Sequence, residues 1–142
     1  MTFATVREAV AMSAALRIHT SVPQEERDRR VDRVLSDLLL TQFANRQIGT
    51  PGEGGVPLEV RKLTTIAVEI VCDPVILFMD EPTSGLDSIS ARAIAKLLKS
   101  LSSNGMTIVC SIHQPSASVF FTFDALMLMV AGRAVYAGPI TD

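Results

Sequence analysis

The rhythm of apolar and polar positions changes near residue 73. Before it, apolar residues recur at helical spacing. Thr5 is followed three residues later by Glu8, then by Val10, Met12, Ala14, Ala15 and Leu16. This predicts a capping box opening a mostly buried helix over 5–18. A second helix is predicted to start near Ser21, with Pro23 in its first turn and Gln24 completing another box. Its core face reads Val31, Val34, Leu35, Leu38 and Leu39, and the charges of QEERDRR fall on the solvated side. Residues 49–57, GTPGEGGVP, are turn-rich. A third helix is predicted across 58–72, with Val60, Leu63, Ile66, Ala67, Ile70 and Val71 as its stripe.

After residue 73 short continuous apolar runs take over. Val75 to Met79 has no polar alternation, which predicts a strand covered on both faces, as in the centre of a parallel, helix-covered sheet. A helix is predicted from Ser88 to about Ser102, ending at Asn104-Gly105. MTIVCSI (106–112) reads as a second strand and ALMLMV (125–130) as a third. Gly132-Arg133 then turns the chain into AVYAG, antiparallel to the third. The expected fold class is α/β, with a helical part over 1–72 and an alternating strand–helix part over 73–142.

Composition narrows the class. The 142 residues suit one domain with a core, and 48% are hydrophobic with mean hydropathy +0.34. Asp73, Asp80 and Asp124 interrupt the apolar stretches, so no membrane span is expected, and no secretory signal is visible at the start. A net charge of −2 gives no support for a nucleic-acid partner. Cys72 and Cys110 lack metal-site spacing and read as small buried hydrophobes.

The chemistry gathers where strands end. Parallel strands share one carboxyl edge, so Asp80-Glu81 and His113 are expected to converge on one crevice. Two acids and a histidine there suit phosphoryl transfer to water. One carboxylate holds Mg²⁺ through its water shell, the other orients the attacking water, and the histidine contacts the terminal phosphate. Asp87, before Ser88, is also expected to cap the following helix. His19 has no such setting and reads as a loop residue.

ILFMDEPTSGLDS (76–88) resembles the Walker B and D-loop of ATP-binding cassette (ABC) ATPases, and SIHQPS (111–116) resembles their H-loop. With TVREAV at 5–10 and RKLTTIAVEI at 61–70, the spelling is similar to the G subfamily of ABC transporters, which includes the pleiotropic-drug-resistance pumps. The resemblance implies a P-loop NTPase-like fold using ATP and Mg²⁺. It makes Asp80 the Mg²⁺-associated acid, Glu81 the catalytic carboxylate and His113 the switch histidine. Ser84, Gly85, Leu86 and Asp87 match the D-loop. The implied partners are a second nucleotide-binding domain and transmembrane domains, at the cytoplasmic face of a membrane, in a transporter that exports substrates. A soluble ABC-type ATPase and a non-catalytic fragment are the alternatives.

Two departures accompany the matches. No glycine in the chain is followed by lysine, so a GxxxxGK[ST] P-loop is missing. The chain is therefore expected to be the C-terminal part of a nucleotide-binding domain, without the Walker A strand, loop and helix, and inactive alone. The family signature, roughly VSGGE, precedes the basic pair; aligned on Arg61-Lys62, those positions here are Val56, Pro57, Leu58, Glu59 and Val60. Pro57, Leu58 and Glu59 replace phosphate-binding groups, a degenerate signature similar to that of the second nucleotide-binding domain in full-length drug-resistance pumps.

Overall fold

Helix α1 (Val6–Arg17) opens as its sequence predicts. The Thr5 side chain accepts a hydrogen bond from the Glu8 amide at 3.2 Å, and the Glu8 carboxylate accepts one from the Thr5 amide at 2.8 Å. The computed structural model describes residues 3–50 and 54–140. Val6, Ala9, Val10, Ser13 and Ala14 are buried, whereas Met12, Ala15 and Leu16 are exposed. The helix is thus half-buried rather than mostly buried: the expectation counted every apolar residue, but helical rotation places only one face against α2 and α3.

Helix α2 (Gln24–Asp37) lacks the expected Ser21 box. Ser21 Oγ instead pairs with His19 Nδ1 at 2.7 Å, in an exposed turn, and Pro23 occupies the N-cap without a side-chain acceptor. Val31, Val34, Leu35 and Leu38 are buried as predicted. Leu39 is not; it is 67% exposed, and Leu40 fills the core in its place. The helix ends at Asp37, and Leu39 adopts φ +57°, which turns the chain over and ends the helical periodicity.

A 3-10 turn, Thr41–Phe43, leads back along α1, where the Val6 and Arg7 amides donate to the carbonyls of Arg46 and Ala44. In the GTPGEGGVP turn, residues 51–53 lie outside the described residues. Helix α3 (Leu58–Ile70) follows Pro57 and buries Val60, Ile66, Ala67 and Ile70. It is tied to α1 by Ser13 Oγ, which donates to the Val68 carbonyl at 2.7 Å, and by an Arg17–Glu69 ion pair at 2.8 Å.

Strand β1 (Ile76–Met79) pairs in parallel with β2 (Thr107–Cys110), in the register Ile76 to Thr107 through Met79 to Cys110. The crossover between them is α4 (Ser88–Ser103), ending at Asn104 with Gly105 at φ +102°. One continuous core runs from Val6 and Leu35 through Ile66 to Leu77, Ile94 and Leu98. Only one face of β1 meets it. Leu77 is buried while Val75, Ile76 and Phe78 are exposed, so the expected cover on both faces is absent among the described residues. Both cysteines are half-buried free thiols, and burial pushes the Cys110 thiol up.

After the short α5 (Ala117–Phe120), β3 (Ala125–Val130) and β4 (Arg133–Pro139) form an antiparallel hairpin. Its two-residue loop, Ala131 (φ +47°) and Gly132 (φ +76°), has the left-handed pair of a type I′ turn. Among the described residues β3 pairs with β4 alone, so the parallel sheet is two-stranded. No helix among them is long and apolar enough to cross a membrane.

Candidate functional site

The parallel register places the two strand ends side by side. Asp80 follows Met79 and Ser111 follows Cys110, so these residues leave the sheet together. Ser111 Oγ donates a hydrogen bond to Asp80 Oδ1, and the Glu81 amide donates to Ser111 Oγ at 3.0 Å. One hydroxyl therefore holds both halves of the acid pair. Its role was not predicted, although the register carries the signal: aligning the two strand ends sets Ser111 beside Asp80.

Glu81 then takes φ +44°, in the left-handed region that a residue with a Cβ adopts only under constraint. Its carbonyl accepts the Ser84 amide at 3.1 Å, closing a turn over the buried Pro82. The same carbonyl accepts Lys62 Nζ from α3 at 3.2 Å. Lys62 was not singled out from sequence either, and here there was no signal, since the contact exists only once α3 docks on the acid loop. Among the described residues the Glu81 carboxylate makes no hydrogen bond or ion pair, so it is free to meet solvent.

The D-loop-like residues continue the turn. Gly85 has φ +74°, and a Cβ there would lie 3.7 Å from Leu58 Cδ2 at the start of α3. Asp87 caps α4, accepting the amides of Ile89 and Ser90 at 3.0 and 3.3 Å. Hydrogen bonds from the side chain and amide of Ser90, then from the Ile89 amide, hold its carboxyl below the usual aspartate range.

His113 lies two residues beyond Ser111 at the same sheet edge. A cavity of about 410 Å³ brings it together with Thr83, Ser84, Gly85, Leu86, Ser88 and Gln114. Asp80 and Glu81 are not among the residues that line this cavity; they meet at Ser111, two residues before His113. The acids gather around Ser111, and the histidine faces the D-loop-like turn. The signature-like residues occupy the N-terminus of α3: Val56 is fully buried, Pro57 is the N-cap, Leu58 lies near the Gly85 turn, where it would meet an added Cβ, and Glu59 sits in the first turn. Among the described residues no three or more His, Cys, Asp or Glu side chains gather as a metal cage. The donor set is instead a strand-end carboxylate, which fits a Mg²⁺ ion that keeps most of its water and takes few protein oxygens.

No protein-family model matches the chain. Among curated proteins it is 47% identical over 138 residues to the broad substrate specificity ATP-binding cassette transporter ABCG2 of Bos taurus, covering 97% of this chain and 21% of that protein. It is 46% identical to ABC transporter G family member 41 of Oryza sativa and 45% identical to G family member 2 of Dictyostelium discoideum, covering 10% of each. The chain thus spans about a tenth to a fifth of the length of the curated relatives it matches. Among solved structures, cbiO1 of Clostridium perfringens, part of an ABC transporter complex, superimposes with TM-score 0.83 at 27% identity, over 96% of this chain and 51% of that one. An ATP-binding cassette of an ABC transporter, in its ADP conformation, superimposes with TM-score 0.80 at 21% identity over 95% of this chain and 55% of that one. The fold is therefore that of part of an ABC ATPase domain, and over almost its entire length the chain is homologous to a segment of the G-family ABC transporters.

Proposed function

We propose that this chain is the Walker B, D-loop and H-loop segment of a nucleotide-binding domain in an ABC transporter that couples ATP hydrolysis to export. The observation that carries the proposal is the strand-end arrangement. Asp80 and Glu81 are held by one hydroxyl at the carboxyl edge of a parallel pair, and His113 faces the following turn. In this reading residues 1–72 form the helical subdomain and 73–142 the core part.

The residues divide the work by what they can reach. Asp80 would hold a hydrated Mg²⁺, which when bound neutralises phosphate charge. Glu81, backbone fixed and carboxylate free, accepts a proton from the attacking water. His113 donates to the terminal phosphate oxygen, and Ser84 to Asp87 form the surface that meets a second nucleotide-binding domain. The transmembrane domains and the cytoplasmic face of the membrane complete the assembly. Pro57 gives α3 an N-terminus with neither hydroxyl nor amide at that position, and Glu59 adds negative charge. A second ATP site built on this signature would turn over slowly, since losing one preorganised donor costs about 10²–10³ in rate. In this reading the chain belongs to the second nucleotide-binding domain of a full-length pump, and the Pro57 and Glu59 departures support that reading.

Glu81→Gln in the complete protein tests both parts. Loss of a general base costs about 10²–10⁴-fold, so turnover should fall to background while ATP still binds. Undiminished turnover removes Glu81 from the chemistry. Retention of about half overturns the slow second site, because the other site would then be working.

A further inference from the structure

Glu81 is pinned through its backbone from two elements that are distant in sequence. Its amide donates to Ser111 Oγ at 3.0 Å, at the end of β2, and its carbonyl accepts Lys62 Nζ at 3.2 Å, from α3. Between these two contacts the residue holds φ +44°, a conformation that relaxes unless its surroundings over-determine it. The α3 side also brings Leu58 near the loop. Leu58 and Lys62 lie one turn apart on the same helical face; Leu58 Cδ2 approaches the Gly85 turn while Lys62 reaches the Glu81 carbonyl. The start of α3 therefore lies beside loop 81–85 and is bonded to it through Lys62.

We propose that Lys62 and Ser111 are positioning residues for Glu81: together they help fix its left-handed backbone and so aim a carboxylate that makes no hydrogen bond or ion pair of its own among the described residues. The inference rests on the proposed role of Glu81 and adds to it the means by which the base is oriented. It also makes α3, through Lys62, the element that passes displacement of its own N-terminus to the Glu81 backbone. Neither residue acts on the reacting atoms in this scheme. Lys62 contributes a donor to a carbonyl, and its charge is incidental. Ser111 contributes a hydroxyl that both accepts and donates.

The test uses the complete protein carrying this segment and measures single-turnover hydrolysis of Mg-ATP across ATP concentrations. Lys62→Met should lower the hydrolysis rate constant about threefold to tenfold, the ordinary worth of one hydrogen bond, with the ATP concentration for half-maximal rate unchanged. Lys62→Arg, which keeps a donor, should restore most of the rate. Ser111→Ala should lower it likewise, and Ser111→Thr should restore it. Thermal midpoints should stay close to wild type for the Lys62 variants, since that side chain is only half-buried and makes a single hydrogen bond among the described residues. A wild-type rate constant in both Lys62→Met and Ser111→Ala overturns the proposal. So does a raised half-saturating ATP concentration at unchanged rate in Lys62→Met, which would make Lys62 a nucleotide contact. Glu81→Gln in the same preparation separates the layers. If it loses turnover while the other variants keep theirs, only the positioning role falls; if it retains turnover, the role of Glu81 falls with it.

Discussion

Asp87 does two things with one carboxylate. It ends the D-loop-like turn and accepts the first free amides of α4, satisfying donors that the helix cannot satisfy internally. Because these contacts favour the charged form, its folded-state pKa lies below the ordinary 3.8. A depressed pKa contributes stability that is complete above the unfolded value and is lost as pH falls through the folded one. Asp87→Asn keeps a neutral acceptor at the cap. The wild-type chain should therefore melt above Asp87→Asn at pH 7, and the gap should close on titration below about pH 4. A gap independent of pH would assign the effect to shape rather than charge. Glu8, in the capping box of α1, shifts in the same direction through its hydrogen bonds with Thr5, so acid should loosen both helix starts.

At the scale of elements, the end of α2 shows how a periodic reading can be right about a helix and wrong about its last residue. Leu35 is 1% exposed and sits in the core, whereas Leu39, four residues on and past the helix end, is largely in water. Leu35→Ala should cost about 2–5 kcal/mol, the range for emptying a buried leucine site. Leu39→Ala should stay within about 0.5 kcal/mol. Leu39→Gly should be neutral or stabilising, because glycine carries no penalty at φ +57°. Chemical denaturation of the three variants checks this directly. Equal losses from Leu35→Ala and Leu39→Ala would mean that α2 continues past Asp37.

At the scale of the molecule, apolar surface is unevenly distributed. Phe78 is 75% exposed on β1, with Ile76 beside it and Val109 on β2, and the hairpin shows Met127, Met129 and Val135. A soluble monomer rarely leaves such a contiguous face to water, and an exposed sheet invites pairing. The isolated chain should self-associate with rising concentration, and Phe78→Ser should shift light scattering towards the monomer without lowering helix content. Unchanged association would move the sticky surface elsewhere, to the hairpin.

Much of the architecture was legible along the chain because helices and strands write their periods locally. The capping box at Thr5, the stripe of α3, the Asn104-Gly105 ending and the Gly132 hairpin all depend on neighbours within a few residues. So did Asp80, Glu81 and Asp87, since an apolar strand running into acids, a proline and a small-residue turn is a local statement. Tertiary structure decided what distance in sequence hides. The docking of α3 brings Lys62 to the Glu81 carbonyl; the register of β1 against β2 makes Ser111 the hydroxyl shared by both acids; and His113 shares a cavity with the turn at 83–86. It also decided which face of β1 is buried, because a run of five apolar residues has no polarity to mark its inner side. Sequence by itself determines contacts whose partners lie within a turn or a pleat. Contacts between separate elements depend on packing angles and register, which no single segment encodes.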